Sequence, residues 1–131
     1  MLEVLPIQTK DAQKKACEAC GAEYRPQLLA YAAYGDGRFC GVCQFRMAPE
    51  GGIIETLDQV PGNEEFQPMF VMGRAALSFM EQCGAETGYY DGPVDDSNRV
   101  LIGAVGFRPD PVTGRYKVDL RGFFEHPCSA K

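Results

Sequence analysis

The stretch that decides the fold is LLAYAAYGDGRFCGV, residues 28–42. In it, two mostly apolar runs flank the dipeptide Asp36-Gly37. An Asp-Gly pair between two such runs is a strong hairpin signal, because glycine adopts the positive φ that a tight turn needs. We therefore predict strands over residues 27–34 and 39–47 that pair antiparallel.

The elements around this hairpin follow from the same signals. A turn rich in glycine at residues 49–52 leads into a third strand at 53–57, which completes an antiparallel meander. Apolar residues three and four apart predict a long helix over residues 64–82. The remaining predicted elements are strands at 2–7, 85–90, 107–112 and 115–120 and helices at 10–22 and 95–105. The order β-α-β-β-β-α-β-α-β-β predicts an α+β fold with a mixed sheet.

Length and charge restrict the class of protein. The chain has 131 residues, which is the size of one domain, and we assign residues 1–131 to it. Its net charge is −5, and no stretch is rich in lysine or arginine. Because binding to phosphate backbones and anionic lipids depends on those two residue types, we expect no nucleic-acid partner and no membrane partner.

The cellular compartment is predicted from the ends and from the absence of long apolar runs. Residues 1–15 lack the basic start and apolar run of a signal peptide, and no stretch approaches the roughly 18 apolar residues that span a bilayer. We therefore expect a cytoplasmic protein. Cysteines stay reduced there, so the six in this chain are interpreted first as thiols, metal ligands or core residues.

The element order resembles that of the GNAT superfamily of N-acetyltransferases. Residues 28–42 are similar to the family's second and third strands, and Gly73-Arg74-Ala75-Ala76-Leu77 is similar to the opening of its central helix. Gly106-Phe107, followed by Tyr116-Lys117-Val118-Asp119-Leu120, is similar to its closing Gly-Phe and final hairpin. The resemblance implies a three-layer α/β/α fold around a mixed, mainly antiparallel sheet.

The resemblance also implies a reaction and a site. The activity would be N-acylation of a small amine, with acetyl-CoA or another acyl-CoA as donor, bound between the fourth and fifth strands. Cofactor binding falls on six residues: Thr56, Leu57, Asp58, Gly73, Arg74 and Ala75. Glu55, on the fourth strand, corresponds to the family's general base.

Two positions depart from the family pattern. The family's pyrophosphate signature is Q/R-x-x-G-x-G/A, at the start of the central helix. Aligned on Gly73, this sequence has Pro68 and Val71 at the other two positions. The tyrosine that serves many members as general acid corresponds to Ile102, which has no proton to give. A catalytically inactive GNAT-like protein that binds a ligand or a partner therefore remains an alternative.

The cysteine spacing supports a lesser alternative. Cys17-x-x-Cys20 and Cys40-x-x-Cys43 are 19 residues apart, a spacing that fits a four-cysteine zinc site. However, side chains alternate along a strand, so Cys40 and Cys43 would point to opposite faces of the sheet. We therefore expect buried thiols and assign no metal ligands. An exposed sheet edge and the pair Phe123-Phe124 also allow a homodimer.

Overall fold

The computed structural model describes residues 1–62 and 65–124. The elements, in chain order, are β1 (Leu2–Pro6), α1 (Lys10–Cys20), β2 (Leu29–Gly35), β3 (Arg38–Ala48), β4 (Gly51–Gln59), α2 (Phe66–Gln82), β5 (Thr87–Tyr90), α3 (Arg99–Val105), β6 (Arg108–Pro109) and β7 (Tyr116–Asp119). Their order is the predicted one. Position 64, where the helix prediction begins, lies outside the described residues.

The strands form one seven-stranded sheet in the order β1-β2-β3-β4-β5-β7-β6. Every neighbouring pair is antiparallel except β4 and β5, which run parallel. α1 packs with Val42 in one apolar cluster, whereas α2 and α3 share another cluster with Cys43. Because adjacent strand residues point to opposite faces, the helices cover both sides of the sheet. The predicted three-layer α/β/α arrangement is confirmed.

The central hairpin forms at the predicted turn. β2 ends at Gly35 and β3 begins at Arg38, so Asp36 and Gly37 make a two-residue loop. Both have positive φ, 53° and 80°. This is the backbone form that matches the right-handed twist of paired strands, and Asp-Gly is among the sequences that favour it.

The larger core lies between the sheet and α2. Three buried methionines of this helix, Met69, Met72 and Met80, contribute to it. Glycines on the strands leave room for two of these side chains: a Cβ at Gly52 would lie 2.2 Å from the sulfur of Met80, and one at Gly41 2.4 Å from that of Met69. Helix and sheet therefore approach closely at both positions.

Most predicted bounds are off by one or two residues, and two predicted elements differ from the structure by more than that. The helix predicted from residue 95 begins at Arg99, because the Asp95 carboxylate accepts hydrogen bonds from the backbone N–H and hydroxyl of Ser97 and forms a turn instead. The strand predicted over 107–112 has only two residues, since Asp110 binds Thr113 and begins the next turn early. Among residues 1–62 and 65–124, none of the helices has the length and apolar character of a membrane-spanning segment.

Candidate functional site

The main irregularity of the sheet is a gap between its two parallel strands. β4 and β5 pair only at Gly52–Gly88, Ile53–Tyr89 and Ile54–Tyr90. One more hydrogen bond, from the Asp91 N–H to the Ile54 carbonyl at 2.9 Å, ends the contact. β4 then continues to Gln59, and no described residue extends the β5 ladder alongside it. Beyond Ile54, one backbone edge of β4 therefore faces a gap within the sheet.

A β-bulge marks the start of this gap. On β3, Gln44 pairs with Thr56 while the next residue, Phe45, pairs with Ile54, so Glu55 is an extra residue on β4. A bulge re-aims side chains and increases the local twist of the strand. Glu55 and Thr56 both contact residues on the α1 side of the sheet, and Glu55 is the first residue beyond the last β4–β5 pair.

A cavity of about 490 Å³ lies where the end of β4 meets the beginnings of α2 and α3. It is lined by Gln59, Glu65, Phe66, Met69, Ser97, Val100 and Leu101. Glu65 is the one charged residue in this lining set. The cavity and the gap together make a cleft that runs from the bulge to the start of α2.

Three predicted cofactor residues, Thr56, Leu57 and Asp58, lie on the part of β4 that borders the gap. Their side chains have other surroundings. The Thr56 hydroxyl accepts a hydrogen bond from Gln44 Nε2 at 3.1 Å, and Leu57 is buried in the core beneath α2. Asp58 pairs with Val42, on the α1 face, and burial raises the pKa of its carboxyl group. What this segment offers to the gap is backbone.

Glu55, the predicted general base, is held between two arginines. Its Oε2 accepts a hydrogen bond from Arg46 Nε at 2.7 Å, and its Oε1 accepts one from Arg25 Nη1 at 3.3 Å. The Glu55 side chain is 16% exposed. Charge-assisted hydrogen bonds of this kind fix the orientation of a carboxylate.

A buried amide network positions Arg25. Gln44 is fully buried, and its Oε1 accepts hydrogen bonds from Gln13 Nε2 (2.9 Å) and from the Arg25 N–H (3.0 Å). Its Nε2 donates to the Glu23 carbonyl (2.8 Å) and to the Thr56 hydroxyl. All four hydrogen-bonding positions of this amide are used, which offsets the cost of burying it. The loop after α1 is thereby attached to β4 beside Glu55.

The other three predicted cofactor residues lie elsewhere than expected. Gly73, Arg74 and Ala75 are the eighth to tenth residues of α2, well inside the helix. The prediction that these three residues lie at a helix start is therefore wrong. The expectation that their backbone N–H groups are free to bind a ligand is wrong for the same reason. The Arg74 guanidinium instead donates to the Val105 carbonyl at 2.6 Å and to the Ala104 carbonyl at 3.1 Å.

Sequence reasoning missed the segment that leads into α2. When the family signature is placed between β4 and α2, its first two positions fall on Gln59 and Gly62, and both match. Gly62 has a φ of +82°. The third position falls on Glu64, outside the described residues, where the signature has Gly or Ala. The spacing Gln59-x-x-Gly62 is visible in the sequence and would have located this segment.

Neither Ile102, at the position of the family's general acid, nor Tyr90, at the end of β5, offers a free acidic proton to the cleft. Ile102 is almost fully buried in the core and has no acidic proton. Tyr90, the last residue of β5, is also buried, and its hydroxyl donates to the Pro93 carbonyl at 2.8 Å. Burial raises the pKa of the Tyr90 hydroxyl, so it keeps its proton at neutral pH.

The cysteines of the zinc alternative do not converge on one point in the described structure. Cys17 and Cys20 pack in the cluster beneath α1, and Cys43 lies in the core on the other face of the sheet. Within residues 1–62 and 65–124, no three metal-binding side chains come together. Burial raises the pKa of all four thiols, Cys17, Cys20, Cys40 and Cys43, as expected for packed cysteines.

Comparison with known proteins relates this architecture to one group of enzymes. No protein-family model matches the chain, and a search of curated proteins finds no match. Among solved structures, the PaiA N-acetyltransferase of Thermoplasma acidophilum in complex with coenzyme A is similar, with a TM-score of 0.68 at 11% identity over 91% of this chain and 99% of that one. An acetyltransferase of Bacillus subtilis in complex with CoA gives 0.66 at 16% identity, with the same coverage.

A third similar structure is the ribosomal-protein-S18-alanine N-acetyltransferase of Escherichia coli, with a TM-score of 0.63 at 13% identity. The match covers 92% of this chain and 94% of that one. At such identities the similarity concerns the fold, and it extends over nearly the whole chain. The protein has the fold of the GNAT N-acetyltransferases.

Proposed function

We propose that this protein binds an acyl-CoA in the cleft between β4 and β5 and transfers the acyl group to a small amine. The observation that carries this proposal is the gap itself, in which residues 1–62 and 65–124 supply no strand partner to one edge of β4, beside a cavity of about 490 Å³. Two proteins with similar structures were crystallised with coenzyme A, which supports this choice of donor.

The residues of the cleft fit the amide-containing arm of an acyl-CoA better than they fit its pyrophosphate. The backbone edge at Thr56–Asp58 offers hydrogen-bonding groups to an extended, amide-containing arm. The start of α2 offers the N–H groups of Phe66 and Gln67 to a pyrophosphate, because the first turn of a helix leaves its donors free. Pro68 has no N–H, and Glu65 adds a negative charge, so we expect modest affinity at this end.

Glu55 is proposed to receive the amine. When bound, an acyl-CoA supplies an acyl group activated as a thioester. A carboxylate has about four lone-pair positions, and the two arginines use two of those on Glu55. The remaining positions can accept an N–H from an amine at the edge of the gap and take its proton as the amide C–N bond forms. The thioester C–S bond would break in exchange, and the leaving thiolate of CoA would take a proton from solvent.

A thermal melt with and without millimolar acetyl-CoA tests the binding step. A ligand at 100 times its Kd stabilises a protein by about 2.7 kcal/mol, which raises the melting midpoint of a small domain by several degrees. Val100→Trp should reduce the shift by filling the cavity, since Val100 lines it and is 76% exposed. Val112→Trp is the matched control, because Val112 is 89% exposed in a turn of the last hairpin.

Two results of this melting experiment would count against the proposal. No shift in the wild-type protein would contradict the proposal, and an undiminished shift in Val100→Trp would place the ligand outside the cleft. Melts without ligand show whether either tryptophan variant is itself less stable.

The second candidate is a ligand-binding protein without transferase activity. Ile102, in the position of the general acid, favours it, because no ionisable group replaces the missing tyrosine there. Binding of acetyl-CoA without acyl transfer to any amine would support this second function.

A further inference from the structure

We propose that the acceptor amine also carries a carboxylate, which binds the guanidinium group of Arg46, beside that of Arg25, while its amine faces Glu55. This inference rests on the proposed function and names its substrate class. It starts from the arginine–glutamate–arginine cluster at the bulge of β4, defined by these three residues.

Arg46 has donors to spare. Its Nε is bound to Glu55, but its two terminal nitrogens make no hydrogen bond to any residue in the described ranges, and its side chain is 43% exposed. A guanidinium has five N–H donors in a planar fork that matches a carboxylate in bidentate fashion. The accessible end of Arg46 therefore suits an anion from solution.

Arg25 adds a second cation that is incompletely paired. Its Nη1 binds Glu55, and its Nη2 reaches Glu23 at 3.5 Å, but its buried Nε has no partner. Glu23 is 76% exposed, so that ion pair is weak. The cluster of two arginines and Glu55 carries a net charge of +1. It therefore favours a ligand with a negative charge in addition to its amine.

The position of the cluster links this charge to the cleft. Glu55 is the first residue of β4 after its last pair with β5, and a Cβ at Gly92 would lie 3.1 Å from the Glu55 carbonyl oxygen. The buried amide of Gln44 fixes the loop that holds Arg25. The two arginines are thus held at the start of the gap, on the face of the sheet opposite α2.

A ligand with both groups uses the free positions of Glu55 and of Arg46 together. Its amine would donate to Glu55, and its carboxylate would accept from the terminal nitrogens of Arg46. An amine without a carboxylate would leave the terminal nitrogens of Arg46 to solvent. As an ammonium ion it would also add a positive charge to a cluster whose net charge is already +1. The protein should therefore prefer an acceptor that carries both an amine and a carboxylate over the matching amine without a carboxylate.

The test compares two matched pairs of acceptors, 4-aminobutyrate with butylamine and L-phenylalanine with 2-phenylethylamine. We expect kcat/KM for acyl transfer from acetyl-CoA to be at least about tenfold higher for the carboxylate member of a pair, as for one charge-assisted hydrogen bond. Arg46→Gln should lower kcat/KM for both members of a pair, because Arg46 also holds Glu55, but it should lower that of the carboxylate member more and so remove the preference.

Arg121→Gln is the control, because Arg121 pairs with Asp119 on the last hairpin and is 70% exposed. It should keep the preference of the wild-type enzyme. Equal kcat/KM within both pairs would overturn the inference. So would an Arg46→Gln variant that loses turnover of both members equally.

A binding measurement separates this inference from the proposed function. Isothermal titration of L-phenylalanine and 2-phenylethylamine into the cofactor-free protein reports the acceptor site alone. Absence of a melting shift with acetyl-CoA would count against the transferase, whereas carboxylate binding lost in Arg46→Gln would still support the anion site. Equal, Arg46-independent binding of both compounds would refute the site even in an active transferase.

Discussion

At the scale of single residues, Asp58 shows how the fold affects ionisation. It lies opposite Val42 on the α1 face, and desolvation by burial raises the pKa of its carboxyl group above the usual 3.8. No positive charge contributes to that shift. Its negative charge also raises the pKa of the Cys17 and Cys20 thiols in the same cluster. Asp58 is therefore easier to protonate in the folded protein than in the unfolded chain.

The raised pKa of Asp58 determines how the stability of the protein changes with pH. A raised pKa means that the native state holds the Asp58 proton more tightly than the unfolded state, so the free energy of unfolding falls as pH rises above about 3.8. Asp58→Asn should therefore stabilise the protein at pH 7, and its advantage should disappear as pH falls below 3.8. Urea unfolding of both proteins from pH 3 to pH 7 measures this difference.

Asp119 provides a control of opposite sign. Hydrogen bonds from Arg121 lower the pKa of Asp119 to about 2, so its ionised form stabilises the native state above 3.8, and this is lost as pH falls through 2. Asp119→Asn should thus reduce stability slightly at pH 7. If Asp58→Asn behaves like Asp119→Asn, our account of Asp58 is wrong.

Single residues also show where sequence reasoning about the site stops. From the sequence, Gly73 and Arg74 are assigned to a cofactor because Gly73-Arg74-Ala75-Ala76-Leu77 resembles the opening of the GNAT central helix, where the family binds a pyrophosphate. In the structure this glycine allows contact between helices, and the arginine binds the carbonyls of Ala104 and Val105. Both functions need the same residue types, and the contact that separates them is remote in sequence.

At the scale of elements, the contact between α2 and α3 depends on this glycine. A Cβ at Gly73 would lie 2.8 Å from one methyl group of Val105 and 3.2 Å from the other. The Arg74 guanidinium lies near the rings of Phe70 and Phe123, at 4.8 and 4.9 Å from their centroids. α2 and α3 therefore pack closely at Gly73, and Arg74 binds the carbonyl groups at the end of α3.

Gly73→Ala should destabilise the protein despite the better helix propensity of alanine. Overpacking typically costs about 1–3 kcal/mol, and the propensity gain of about 1 kcal/mol offsets only part of it. Val105→Ala removes both methyl groups, so in the double variant the alanine at position 73 should cost less than it does alone. Chemical denaturation of the four proteins of this cycle measures the coupling, and strictly additive losses would refute the proposed contact.

Local signals predicted the elements well where the cause is local. Thr9 accepts a hydrogen bond from the Ala12 N–H at the start of α1, and Gly21 ends that helix with a φ of 69°, as expected from their types. The bulge at Glu55 and the early end of the β4–β5 ladder are different. Both result from pairing between strands far apart in sequence, which no local pattern records.

At the scale of the whole molecule, burial separates the cysteines. Four of the five in the described part, Cys17, Cys20, Cys40 and Cys43, are buried, whereas Cys83 is exposed at the end of α2. Burial raises the pKa of the Cys20 thiol to about 12, and it also raises those of the other three. Because the thiolate is the reactive form, these four should be inert in the native state.

Thiol titration tests this distribution over both faces of the sheet. In a Cys128→Ser background, which removes the cysteine beyond the described residues, one thiol should react quickly with a disulfide reagent. Adding Cys83→Ser should abolish that reaction, while four thiols should appear on unfolding in guanidinium. Rapid reaction of further thiols in the native double variant would contradict the packing described above.

The gap beside β4 also has a consequence for hydration. A strand edge without a partner exposes N–H and carbonyl groups that must be hydrogen-bonded, and within a sheet covered by helices the available partner is water. A ligand that enters must replace those hydrogen bonds as it displaces the solvent. An amide-bearing chain can do so, whereas a hydrocarbon chain of equal length would leave the strand edge dry and unpaired.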